Sequence, residues 1–277
     1  MCATCGCAGS GVRLVDLREP APQHQHPHEH EHPHQHDHSH EHDHPHQHDH
    51  RHSPGHEHGS AGTETVLLEQ RVLAKNDGLA ARNRDWLRAR GAVAVNLMSS
   101  PGSGKTTLLE RTIREGTAGL PVCVIEGDQE TTFDADRIKA AGAEVLQINT
   151  GAGCDLDAEM VGSALLALDP ARGLVLIENV GNLVCPALFD LGEAARVVIM
   201  SVTEGADKPR KYPHIFSTAT LVVLNKIDLL PYVDFDVERF AHDVGLINPA
   251  ARLVQLSATR GDGLNLWYDW LRALPGS

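Results

Sequence analysis

From His24 to His58 the chain has no aliphatic or aromatic hydrophobic residue and no cysteine. A stretch with nothing to bury cannot offset the entropy of ordering its backbone, so it is expected to be disordered. Elsewhere the apolar runs stop near eight residues, too short to cross a bilayer. The first ten residues, MCATCGCAGS, hold no apolar core of the kind a secretory signal needs. A cytoplasmic location with reduced thiols follows as the expectation. A basic face is missing as well. The net charge is −13, of which residues 1–62 supply −6 and the remainder −7. Neither nucleic acid nor a membrane is an expected partner.

What fills the apolar gap is histidine. Seventeen of the nineteen histidines fall between His24 and His58. From His24 to His52 histidine stands at every second position, and within that run His28, His30, His32, His34, His36, His38, His40, His42, His44, His46, His48 and His50 are the candidate ligands. At an ordinary pKa, roughly a quarter of them are protonated at neutral pH. A purification tag is one reading of such a run. Tags are usually uninterrupted, whereas here Asp, Glu, Gln and Pro are interleaved, which favours metal storage. At three or four imidazoles per ion the tract would hold roughly four or five ions. Imidazole alone does not select Ni²⁺ over Cu²⁺ or Zn²⁺.

From about Thr63 the composition becomes that of a globular domain of some 215 residues. Strand-length apolar runs occur at 92–98, 121–126, 144–149, 173–178, 195–202, 220–225 and 252–257. Amphipathic stretches of helical period separate most of them, among them TTLLERTIREG, DADRIKAAG, DLDAEMVGSALLAL and DVERFAHDVG. Residues 64–90 also read as helix, with Leu67, Leu73, Leu79, Trp86 and Leu87 as its apolar positions, while NVGNLVCPALFDLGEA reads as a loop. The expected fold is α/β, with a mostly parallel, roughly seven-stranded sheet flanked by helices. Three parts are expected: a C-x-x-C-x-C metal motif at 1–10, a disordered histidine-rich tract at 11–62 and a globular α/β domain at 63–277.

Directly after the first of these strands comes SSPGSGKTT, 99–107. It matches G-x-x-x-x-G-K-[ST] at Gly104, Lys105 and Thr106, with Ser99 in the place of the first glycine. Gly102, Ser103, Gly104 and Thr107 complete a loop whose amides can cradle phosphates. Lys105 would reach the β/γ phosphates and Thr106 would ligate Mg²⁺. Asn225, Lys226 and Asp228 in VVLNKIDLL form N-K-x-D. The carboxylate can accept from guanine N1–H and the 2-amino group, a pair that adenine lacks, so GTP is expected over ATP. Ser257 and Ala258 in LSAT supply a loop beside the base. Asp128, ending the second strand, is a candidate for Mg²⁺ or water. Glu178 and Gly181, in E-N-V-G, stand where GTPases carry D-x-x-G.

Six cysteines in a reducing compartment need a reading other than disulfides. Cys123 lies in an apolar strand and reads as core. Cys2, Cys5 and Cys7 form C-x-x-C-x-C, a soft site for Ni²⁺, Zn²⁺ or Cu⁺. Cys154 is read as opening the helix CDLDAEMV, and Cys185 follows the Glu178–Gly181 segment closely enough to feel a γ-phosphate.

The stretches MCATCGC, SSPGSGKTT, EGDQETTFDADRI, NTGAGCDLDAEMV, ENVGNLVCP, EGADKPRKYP and NKIDLLPY together resemble the hydrogenase nickel-incorporation GTPase family, HypB, of the SIMIBI class. The resemblance implies that Ser99 and Glu178 are normal for their positions. It also implies a P-loop GTPase fold, with 63–277 as the GTPase domain, slow GTP hydrolysis with Mg²⁺, a GTP-dependent homodimer, and a HypA-type zinc co-chaperone. The implied client is the large-subunit precursor of a nickel–iron hydrogenase. Cys154, Cys185 and the residue after Cys154 would bind Ni²⁺ or Zn²⁺. The family usually has histidine at that residue, and this chain has Asp155, a hard oxygen donor. A urease-accessory GTPase shares the P-loop class, but it would carry Cys-Pro-His where this chain has Cys185-Pro186-Ala187. A passive metal store with a vestigial GTPase and a P-loop kinase are the other readings. Intact Lys105, Thr106, Asn225 and Asp228 argue against the first, and N-K-x-D argues against the second.

Overall fold

The computed structural model describes residues 13–16, 61–116, 119–129 and 133–275. Cys2, Cys5, Cys7 and the histidine tract lie outside them.

In chain order the elements are β1 (Arg13–Asp16), α1 (Ala61–Arg90), β2 (Ala92–Ser99), α2 (Lys105–Arg111), β3 (Val122–Asp128), α3 (Phe133–Ala141), β4 (Glu144–Asn149), α4 (Ala158–Leu168), β5 (Gly173–Glu178), β6 (Ala195–Ser201), α5 (Lys208–Lys211), α6 (Pro213–Ser217), β7 (Leu221–Asn225), α7 (Val237–Ile247), β8 (Arg252–Gln255) and α8 (Leu264–Arg272). The sheet order is β1-β4-β3-β5-β2-β6-β7-β8. The seven strands of the domain are parallel. All seven expected strands are present. β1 is an addition, four residues paired antiparallel to β4 at the edge, with Arg13 opposite Asn149 and Asp16 opposite Leu146. It falls inside the stretch 11–62 that was read as disordered; RLVD is too short to carry a period of its own.

The strands read as continuous apolar runs because both faces are covered. In β2, Val95 and Leu97 face one core, with Leu108 of α2, Ile138 of α3 and Trp267 of α8. Ala92 and Ala94 face the other, with Leu87 of α1 and Val161 and Leu165 of α4. Met98 continues that second face towards Phe216 of α6 and Phe240 of α7. Cys123 is buried in the core as expected, and burial pushes its thiol up to about 12.

Two helices differ from their sequence reading. The buried stripe of α1 is Asn76, Ala80, Asn83 and Leu87, while Leu73 is exposed. The two asparagines are buried because backbone groups need them. Asn76 Nδ2 donates to Asp190 O at 2.8 Å and its Oδ1 accepts from Ala158 N at 2.9 Å. Asn83 Nδ2 donates to Ala158 O at 2.8 Å and Leu191 O at 3.0 Å. The second difference is the start of α4. Cys154 does not open it: Asp157 caps the helix, its carboxylate accepting from Met160 N at 2.8 Å. An Asp at the N-cap leaves Cys154, Asp155 and Leu156 in the preceding loop. The β5–β6 connection is a loop, as expected, with one 3₁₀ turn at Cys185–Ala187. Among the described residues no helix is long and apolar enough to cross a membrane.

Candidate functional site

Loops at the C-terminal edge of a parallel sheet are where open α/β folds bind ligands. Here the loop after the central strand β2 turns through Gly102 and Gly104, at φ +75° and +94°. A Cβ on Gly104 would lie 2.5 Å from Asn225 Nδ2, so glycine is required there by both backbone and space. A pocket of about 560 Å³ opens over this loop. Gly102, Ser103, Gly104, Lys105, Thr106, Thr107, Asp128, Glu178, Gly181 and Lys226 all line it.

The phosphate end is assembled around Glu178. Thr106 Oγ1 donates to Glu178 Oε1 at 2.8 Å, and Lys105 Nζ lies 3.1 Å from the same oxygen. Lys105 Nζ also donates to Asn179 O at 2.6 Å. Gly181 packs against Pro101 of the loop, where a Cβ would meet the ring at 3.3 Å. Ser100 hydrogen-bonds Glu204, which in turn accepts from Ser201 N at 2.9 Å and ties the loop to the end of β6.

Sequence reasoning missed Glu126. It sits opposite Glu178 in the β3–β5 register and is 3% exposed. Burial, then the nearby charges of Glu178 and Asp128, push its carboxyl up to about 9. Glu126 Oε2 and Glu178 Oε2 are both buried without a hydrogen-bond partner. The one sequence signal is an acid at the end of an otherwise apolar strand.

The expected base side also comes together. Asn225 Nδ2 donates to Ser103 O at 2.9 Å, and its Oδ1 accepts from Lys226 N at 2.7 Å and Ala258 N at 3.0 Å. One side chain thus joins N-K-x-D to both the phosphate loop and the LSAT loop. Lys226 Nζ donates to Gly102 O at 2.6 Å. Ser257 is buried, its hydroxyl accepting from Arg260 N at 3.0 Å. Asp228 is largely buried beside Arg260, whose Nε lies 3.9 Å away.

The third group is Cys154, Asp155 and Cys185. One ligand atom from each lies within 4.8 Å of the others. The two cysteines come from loops after β4 and β5, adjacent only because β3 alone separates those strands. Cys154 also lines the pocket of the phosphate loop. Burial, followed by hydrogen bonding with Cys185 and Asp155, raises the Cys154 thiol; burial likewise raises the Asp155 carboxyl. The turn leading to Cys154 is fixed by Thr150 N to Asp128 O and Gly153 N to Thr150 O, both 2.9 Å.

Comparison with known proteins gives the family. Residues 93–255 match the family described as CobW/HypB/UreG, nucleotide-binding domain. Hydrogenase maturation factor HypB of Escherichia coli (strain K12) is 51% identical over 223 residues, covering 77% of each chain. The probable hydrogenase maturation factor HypB of Methanocaldococcus jannaschii is 45% identical over 202 residues, covering 72% of this chain and 91% of that one. A crystal structure of HypB from Archaeoglobus fulgidus superposes with TM-score 0.68 at 45% identity, covering 72% of this chain and 98% of that one. One of HypB from Helicobacter pylori in complex with nickel has TM-score 0.68 at 37% identity, covering 72% and 94%. With its glycine loop, N-K-x-D and E-N-V-G segments gathered on one sheet edge, the chain belongs to the CobW/HypB/UreG nucleotide-binding family and, within it, to the HypB hydrogenase maturation factors.

Proposed function

We propose that the protein is a GTP-hydrolysing nickel metallochaperone of the cytoplasm. It would store Ni²⁺ and assist its insertion into the large-subunit precursor of a nickel–iron hydrogenase. The observation that carries this reading is that Cys154, one corner of the Cys154–Asp155–Cys185 cluster, lines the same pocket as Lys105, Thr106 and Glu178. A nucleotide and a transition metal held in one pocket can each change the other's affinity, and such coupling acts equally in both directions.

Asn225 and Asp228 select guanine, with Ser257 and Ala258 beside the base. Lys105 and the amides of Gly102–Thr107 hold the phosphates. The donor set also suits Mg²⁺, a hard ion that takes oxygen ligands. Thr106 Oγ1 and the partnerless Glu178 Oε2 would hold it, with Glu126 and Asp128 behind them. Bound there, Mg²⁺ supplies neutralisation of charge on the β and γ phosphates.

Nickel is cargo here. Two thiolates and a carboxylate are a mixed donor set that also suits Zn²⁺. Because each chain offers only two thiolates at this cluster, a GTP-dependent homodimer would complete the coordination. The exposed Val184 and Leu188 flanking the Cys185 turn support such a face. Cys2, Cys5 and Cys7 form a second site and the histidine tract a reservoir. A HypA-type zinc protein is the expected co-chaperone.

The test is complementation of a deletion strain, reading hydrogenase and urease activities with and without excess nickel. Loss of hydrogenase activity rescued by nickel is expected. Lys105→Ala should fail to complement while retaining nickel on the N-terminal residues. Loss of urease activity alone would move the protein to the urease-accessory reading, and full complementation by Lys105→Ala would leave only a metal store.

A further inference from the structure

The loop carrying Cys154 is bonded to the nucleotide side through one buried residue, Asn179, which is 0% exposed. Its Oδ1 accepts from Leu156 N at 3.2 Å and from Val180 N at 3.0 Å. Its Nδ2 donates to Asn96 Oδ1 at 3.3 Å, which sets the orientation of the amide. Its main-chain oxygen accepts from Lys105 Nζ at 2.6 Å. The same residue therefore touches the phosphate lysine, the Val180–Gly181 turn and the segment two residues beyond Cys154.

We propose that Asn179 is the positioning residue that passes nucleotide state to the Cys154 side of the metal cluster. This rests on the reading of the pocket as a nucleotide site and of the cluster as a metal site. The physical basis is a shared acceptor. An amide oxygen has two lone pairs, and here both are used. If the Val180–Gly181 turn moves to meet a γ-phosphate, the shared oxygen must follow or release one N–H. Releasing Leu156 N would leave a buried donor unpaired, which is costly. The Cys154 loop therefore moves with the turn. Cys185 needs no such device, because it lies four residues beyond Gly181 in the same segment. The two halves of the metal cluster receive the nucleotide signal by different routes, one covalent and one through Asn179.

A competing route exists at the other end of the Cys154 loop, where Gln129 Nε2 donates to Gly153 O at 3.3 Å and Asp128 O accepts from Thr150 N. The experiment separates the two. The full-length, metal-free protein is alkylated with N-ethylmaleimide in GDP or in a non-hydrolysable GTP analogue, and Cys154 and Cys185 are followed separately by peptide mass spectrometry. In the wild type both rates should differ between nucleotides by about fivefold or more, the lower end of ordinary coupling factors. In Asn179→Ala, Cys185 should keep its response while that of Cys154 falls below about twofold. Asn179→Asp, which keeps an oxygen towards Leu156 N and Val180 N, should restore it. Asn96→Ala removes the group that orients the amide, together with the Asn96 Nδ2 bond to Glu193 Oε1 at 3.3 Å; it should reproduce the Asn179→Ala pattern and covers the case in which that variant does not fold. A normal Cys154 response in Asn179→Ala would overturn the proposal in favour of Gln129, and so would equal loss at both cysteines. A wild type unresponsive at both cysteines would overturn it too. GTP and Ni²⁺ binding measured on the same preparation then tell whether the functional reading has failed with it.

Discussion

At the scale of single residues the pocket is specified by groups that each answer more than one neighbour. Asn225 joins three loops, and Glu178 takes both Lys105 and Thr106. The role proposed for Asp228 is simpler, that of the acceptor pair for guanine. Asp228→Asn is expected to weaken GTP and improve binding of xanthine nucleotides, because one acceptor becomes a donor. Competition binding with GTP, XTP and ATP checks this, and equal ATP and GTP affinity in the wild type would refute the guanine assignment. Asp155 is the position where this chain departs from the histidine expected of the family. Asp155→His should tighten Ni²⁺ and Zn²⁺ at the cluster, because imidazole suits these ions better than carboxylate. Asp155→Ala should change the affinity little. Thiolate-to-nickel charge-transfer absorption, with Cys2, Cys5 and Cys7 replaced by serine, isolates the site from the histidines.

Elements were legible in the sequence where their burial is apolar and periodic. The seven strands were read because helices cover both faces of the sheet, so nearly every strand position is apolar. The face of α1 was misread for the opposite reason: its buried stripe includes Asn76 and Asn83, which serve carbonyls and an amide that belong to other elements. No periodicity rule finds a polar stripe of that kind. Glu126 was hidden in the same way, as an acid within an apolar strand. The phosphate and base motifs were legible because their chemistry is local in sequence. The convergence of Cys154 with Cys185 was legible only through the family resemblance, since it depends on strand order and on Asp157 starting α4. Asn83→Leu tests the polar stripe. It leaves Ala158 O and Leu191 O without their donor, costing ~1–3 kcal/mol. For a domain of this size that is a fall of roughly 2–12 °C in Tm, measured by calorimetry of the nucleotide-free protein. Gly192, where a Cβ would lie 2.6 Å from Ala80 O and 2.7 Å from Asn83 Cβ, shows how closely the loop approaches α1.

On the scale of the whole molecule, acidity is shared almost evenly between residues 1–62 and the domain, −6 and −7, yet the stretch from His24 to His58 has no aliphatic or aromatic hydrophobic residue to bury. Storage and switching should therefore be separable. Removing residues 24–58 is expected to lower nickel capacity by roughly four or five ions per chain, from three or four imidazoles per ion. GTP hydrolysis should stay as it was, and maturation should suffer mainly when nickel is scarce. Equilibrium dialysis beside a hydrolysis assay measures both, and unchanged stoichiometry would remove the storage role.

The edge strand β1 has a bearing on how metal travels. It runs antiparallel to β4, so Arg13 stands opposite Asn149, at the end of the sheet from which the Cys154 loop departs. Six peptide links join Cys7 to Arg13 and eleven join Cys2 to it, so extended chains of those lengths span at most about 20 Å and about 40 Å. From Asn149 the chain folds back on itself, Gly151 N bonding Asn149 Oδ1 at 2.9 Å before the Thr150–Gly153 turn, so Cys154 stays near that corner. A leash this short confines its thiols at an effective concentration of millimolar order. An ion leaving Cys2, Cys5 or Cys7 would then meet Cys154 of its own chain sooner than a site on another molecule. Transfer between the two sites is expected to be first order, with a rate independent of protein concentration. Replacing residues 13–16 with Gly-Ser-Gly-Ser, which breaks the pairing with β4, should slow it without changing either site's affinity.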